Sequence, residues 1–109
     1  MDIDVKYEVE FTEECAVEIR KVYNYIRDDL LAQNSANKIM ERIEEFITNL
    51  AYVPRMYAEI DKYSNTKRIY RRIILNNYVL LYTYTIDEER HKVFISHMYH
   101  SKTDYLNNI

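Results

Sequence analysis

The spacing of apolar and polar positions changes period several times along the chain, and each change marks an element. Tyr7, Val9 and Phe11 alternate with Lys6, Glu8 and Glu10, the period of a strand with one buried and one wet face. Thr12 ends the alternation and is placed to cap a helix, its hydroxyl accepting from a free backbone N–H. Glu13 and Glu14 then fall in the first turn, where carboxylates meet the positive end of the helix dipole. Ala16, Ile19, Val22, Tyr23, Ile26 and Leu30 recur at three- and four-residue intervals and predict an amphipathic helix. The stretch "AQNS" breaks it, with Asn34 or Ser35 available to cap a second helix along Ile39, Met40, Ile43, Phe46, Ile47 and Leu50. Pro54 stops that helix from running on.

Residues 55–66 are irregular and polar, and the pattern then returns to strands. Ile69 to Leu75 and Tyr78 to Ile86 are joined by Asn76 and Asn77, the non-glycine residue best suited to the left-handed backbone of a tight hairpin. "DEER", residues 87–90, predicts a second turn into a last strand, "HKVFISHMYH". The expected order is strand, helix, helix, strand, strand, strand. That is an α+β fold: an N-terminal strand, an antiparallel two-helix hairpin and a three-stranded antiparallel meander, with the helices packed on one face of the sheet.

Length and composition narrow the class. A chain of 109 residues suits one domain, residues 1–109, and its 48% hydrophobic and 30% charged content is an ordinary globular balance. Glycine is absent, which removes Gly-rich phosphate loops and dinucleotide fingerprints, so no cofactor is expected. One cysteine, Cys15, allows no internal disulfide and no paired-cysteine metal site. The opening "MDIDVKYEVEF" lacks the basic and apolar regions of a secretory signal, and no stretch is apolar enough to span a bilayer, so a cytoplasmic protein with no membrane partner is expected.

Charge is unevenly spread. Residues 1–50 hold 6 Lys+Arg against 12 Asp+Glu, or −6, whereas residues 51–109 hold 9 against 6, or +3, giving the total of −3. The second half is therefore the half suited to an anion. Within it "TKRIYRR" gathers Lys67, Arg68, Arg71 and Arg72. Strand alternation puts Arg68, Tyr70 and Arg72 on one side and Ile69 and Arg71 on the other. Such cations either protect a sheet edge or form an anion site, since guanidinium groups fork onto phosphate or carboxylate oxygens. The last strand adds His97, Tyr99 and His100. The two histidines are an odd number of residues apart and so face opposite ways, which argues against a metal site built on them. Phosphodiester cleavage needs a base, an acid and a cation for the phosphorane; His97 or His100, Tyr99, and Arg71 or Arg72 are the residue types for those parts. Twelve tyrosines suggest stacking on single-stranded nucleic acid, yet Tyr78, Tyr82 and Tyr84 share one side of a central strand, where tyrosine ordinarily fills the core.

The succession "YEVEFTEECAVEIRKVYNYI", "IMERIEEFITNLAYVP" and "YRRIILNNYVLLYTYTIDEERHKVFISHMYHSKTDY" resembles the RelE/ParE superfamily of type II toxin–antitoxin systems over essentially the whole chain. The resemblance implies a toxin associated with growth inhibition and plasmid stabilization. Its partners would be a cognate antitoxin protein and a target, either DNA gyrase or the ribosome with its mRNA, and a homodimer or a toxin–antitoxin hetero-oligomer is compatible with it. RelE-like members resemble one another in an arginine just after the first tyrosine of the hairpin strand; here that position is Val79. "NNYVLLY" looks more like the ParE-like hairpin, although where the ParE-like ending has an arginine this chain has Thr103, with Lys102 beside it. The ParE-like branch, with no chemistry of its own, is therefore preferred, the alternatives being a RelE-like ribosome-dependent mRNA endonuclease or an inactive toxin fold that acts only in complex with its antitoxin. If the chain were RelE-like, Arg71, Arg72, His97, Tyr99 and His100 would be its catalytic residues. Lys67, Arg68, Arg71, Arg72, Lys102 and Tyr105 are the expected contacts to target or antitoxin.

Overall fold

The computed structural model describes residues 6–60, 69–86 and 91–104, for 84–86 the backbone alone. Lys67, Arg68, the turn at 87–90 and Tyr105 lie outside the described residues. The elements run β1 (Glu8–Phe11), α1 (Glu13–Asn24), a π-helical turn (Tyr25–Asp29), α2 (Gln33–Tyr52), β2 (Arg71–Leu75), β3 (Tyr78–Ile86) and β4 (His91–His100). They form one four-stranded sheet in the order β1-β4-β3-β2. β2, β3 and β4 make the antiparallel meander, while β1 lies parallel to β4, pairing Glu8 to Phe11 with Lys92 to Ile95.

The core lies between the helix hairpin and one face of the sheet. Cys15 and Ile19 from α1, Ile39, Ile43, Phe46 and Leu50 from α2, and Ile73, Leu75, Leu80, Tyr82, Val93, Ile95 and Met98 from the strands form one buried cluster. Each such aliphatic or aromatic side chain contributes about 1.5–3 kcal/mol on leaving water. Burial, with Glu18 as a lesser cause, pushes the Cys15 thiol up to about 12, so it packs as a small apolar group. Ile95 and Met98 both point into the core although they are three residues apart. This is possible because Ser96 is the extra residue of a β-bulge: Leu81 pairs with His97 and Tyr82 with Ile95.

The hairpin is built differently from the expectation. Helix α2 starts at Gln33, with Ala32 at its N-cap and no side-chain cap, so neither Asn34 nor Ser35 performs that role. The reversal comes instead from Leu31, whose φ of 51° turns the chain just before the helix. Leu30 also falls off the α1 stripe and is exposed, because the π-helical turn advances the face after Ile26. Asn76 has the positive φ (54°) expected of the β2–β3 turn.

The segment after α2 is fastened to β2. Ile60 N donates to Tyr70 O and Arg72 N donates to Ala58 O, each at 3.0 Å, so residues 58–60 cover the outer edge of the sheet. The Tyr82 hydroxyl donates to Pro54 O at 2.8 Å from within the core.

Candidate functional site

Alternation along β2, β3 and β4 divides the candidate residues between the two faces of the sheet. Arg71 pairs with Tyr82 and points toward the helix side. There its guanidinium donates to Tyr57 O at 2.8 Å and to Arg55 O at 3.4 Å, and it meets Glu59 at 3.1 Å. Arg72 points the other way and is exposed. It shares a cross-strand row with Leu81 and His97, so the Arg72 and His97 backbones stand about 10 Å apart, two strand spacings.

Around His97 the open face carries a second, smaller apolar cluster. Tyr70, Val79 and Leu81 are buried there, with Ile60 and Tyr99 packed against them. The His97 ring lies stacked on Tyr99 (centroids 5.6 Å apart, planes 13° apart) and edge-on to Tyr70 at 6.0 Å. Its Nδ1 is 2.7 Å from Ser96 Oγ. The bulge thus places a hydroxyl against the imidazole that the period-two pattern did not foretell. Burial lowers the His97 pKa from the usual 6.5, with Glu14 opposing, so the ring is neutral at pH 7. Tyr99 is raised above 10.0 by burial first and then by Glu14, Tyr70 and Glu18.

Glu14 and Glu18 come from α1, which passes the outer edge of β4 once β1 has ended at Phe11, opposite Ile95. Thr12 makes that junction. Its Oγ1 accepts from Cys15 N at 3.2 Å, capping α1 as the sequence predicts, and donates to Ser96 O at 2.9 Å. Between the first turns of α1 and residues 96–99 of β4 runs a groove of about 590 Å³. Glu13, Glu14 and Glu18 line its helical side. The sequence pattern places Glu13 and Glu14 at the helix dipole but does not reveal this second setting, which depends on how far β1 extends.

His100 lies beyond the bulge on the face opposite His97. It pairs with Tyr78, meets that ring edge-on at 5.5 Å, and its Nδ1 accepts from Lys102 N at 3.1 Å. Lys102 itself is exposed in the turn after β4. The structure therefore gathers Arg72, His97 and Tyr99 on the open face and separates Arg71 and His100 from them. Val79, the position after Tyr78, is buried under the open-face cluster. Among the described residues no group of three or more His, Cys, Asp or Glu is arranged to hold a metal ion.

Residues 9–105 match the family model of the ParE toxin of type II toxin–antitoxin systems, parDE. The chain belongs to the ParE toxin family. Its fold is similar to a solved structure described as the chromosomal ParDE TA system from P. aeruginosa, with a TM-score of 0.66 at 15% identity, covering 91% of this chain and 100% of that one. No curated protein matches it in sequence. The α+β architecture expected from the hydrophobic pattern, and the ParE-like resemblance, both stand.

Proposed function

We propose that this ParE-family chain is a growth-inhibiting toxin that is held silent by a cognate antitoxin and, when free, poisons DNA gyrase through surface contacts without making or breaking a bond itself. Family membership over residues 9–105 supports the toxin and its antitoxin partner. The observation that favours binding over nucleic-acid cleavage is the division of the cationic and proton-transfer groups. Arg71 is held by backbone carbonyls and Glu59 on the helix side, and His100 lies on the face opposite His97. A cleavage site needs base, acid and phosphate cation around one reacting phosphorus. Action on gyrase would place the protein in the cytoplasm, and among the described residues no helix is long and apolar enough to cross a membrane.

Pulse incorporation of labelled thymidine and labelled amino acid, minutes after inducing the chain alone in a bacterial cell, tests this reading. The expected result is early loss of DNA synthesis with protein synthesis intact. Loss of protein synthesis first would point instead to ribosome-dependent mRNA cleavage, drawing on Arg72, His97 and Tyr99 of the open face.

A further inference from the structure

The groove between α1 and β4 has an apolar floor and an acidic wall. Val17 and the rings of His97 and Tyr99 form the floor, and Glu13, Glu14 and Glu18 stand along the helical side. Its volume of about 590 Å³ lies in the range that encloses a compact organic ligand, roughly 300–1,000 Å³. Helix α1 begins here, and its dipole brings about half a positive charge to that end. Three carboxylates outweigh it, and the groove is electronegative. Glu18 has an exposed pairing with Lys21 at 3.4 Å, but among the described residues no cation pairs with Glu13 or Glu14. The wall belongs to the half of the chain that carries −6, a charge that favours approach of a basic partner.

We infer that this groove receives an arginine side chain presented by the antitoxin, its guanidinium packed against the Tyr99 and His97 rings and pairing with Glu14 and Glu18. The assignment rests on the toxin–antitoxin reading above and names the chemistry of the contact. Charge complementarity calls for a cation, and the floor selects which one. A planar, weakly hydrated guanidinium stacks on an aromatic face while it forks onto carboxylates; a lysine ammonium is strongly hydrated and meets them as a point charge. The neutral His97 ring adds no positive charge to oppose it. A phosphate or an acidic peptide is disfavoured by the same wall.

Two measurements test the assignment. In the first, acetyl-arginine N-methylamide is titrated into the intact chain while the His97 and Tyr99 ring signals are followed by NMR. Saturable shifts are expected, stronger than those from acetyl-lysine N-methylamide and much reduced in Glu14→Gln/Glu18→Gln. Absence of shifts, or an undiminished response in that variant, overturns the assignment. In the second, the affinity of the antitoxin encoded beside this chain is compared for wild type and the same variant, with thermal unfolding confirming that both are folded. Losing two charges that face a cation in a desolvated contact is expected to weaken binding on the order of tenfold or more, and to flatten its salt dependence. If the wild type forms no complex, the toxin–antitoxin reading fails and the first measurement alone decides the groove. If the complex forms and the variant binds as tightly, the groove assignment fails while that reading stands.

Discussion

Arg71 and Arg72 are neighbours of equal charge, and one peptide of strand alternation gives them unlike surroundings. Arg71 is largely covered and joins the strand to the carbonyls of Tyr57 and Arg55 and to Glu59. Arg71→Ala is expected to lower stability by about 2–3 kcal/mol in urea unfolding, since it leaves those carbonyls without a charged donor. Arg72→Ala, at an exposed position, is expected to cost clearly less; equal losses would mean that the covered guanidinium holds nothing in place. His97 carries a pH signature. Its folded pKa lies below 6.5 because burial disfavours the charged ring, Glu14 only partly offsetting this. The unfolded chain therefore binds the proton more readily. The contribution to stability is fully present above 6.5, falls as the pH drops below it, and is lost through the lowered folded value. Chemical unfolding of wild type and His97→Gln at pH about 5 and about 8 should show a steeper acid-side decline in the wild type. Parallel declines would mean that the ring is not buried neutral.

At the scale of elements, Thr12 couples a helix to a strand through one side chain. It caps α1 through Cys15 N and donates to the Ser96 carbonyl at the bulge. Thr12→Ala is expected to cost about 1–2 kcal/mol, and Thr12→Ser to recover most of it; an alanine variant as stable as wild type would remove the junction from consideration. The cap and its helix were legible because a hydroxyl followed by two carboxylates and an apolar stripe has one local meaning. The start of α2 was not. Gln33 follows Leu31, a residue with no sequence signature for positive φ, and the backbone there is imposed by how the hairpin packs. A leucine in the left-handed region costs roughly 1–2 kcal/mol, and Leu31 is 85% exposed, so its side chain makes little compensating contact. Leu31→Gly should therefore raise stability by about 0.5–1 kcal/mol, after allowing for glycine's greater entropy loss. A loss would show that the leucine side chain supports the hairpin.

The same division between local and non-local information runs through the candidate site. The opposite facings of His97 and His100, and of Arg71 and Arg72, follow from period two and were readable. The contact of His97 with Ser96, and the facing of Glu13, Glu14 and Glu18 toward β4, were not. They depend on a bulge with no glycine to announce it and on β1 pairing parallel to β4 and ending at Phe11, opposite Ile95. That pairing joins residues more than eighty positions apart, beyond the reach of any window of hydrophobic spacing.

For the molecule as a whole, the fold presents two unlike surfaces on one side of its sheet. The β2 side offers Arg72 beside an apolar and tyrosine-rich patch, and the α1 side offers carboxylates around a groove. The proposed toxin, working by contact, would need a surface for its target and a surface by which it is silenced, and these two are the candidates. The claim that the free chain acts by trapping gyrase on DNA is tested most directly with purified components. Gyrase, ATP and plasmid are incubated with the chain, stopped with detergent and protease, and assayed for linear DNA. The expected result is accumulation of enzyme-linked breaks that depends on gyrase and is suppressed by prior addition of the antitoxin. Unbroken plasmid at every toxin concentration, with folded toxin confirmed in the same sample, would contradict it.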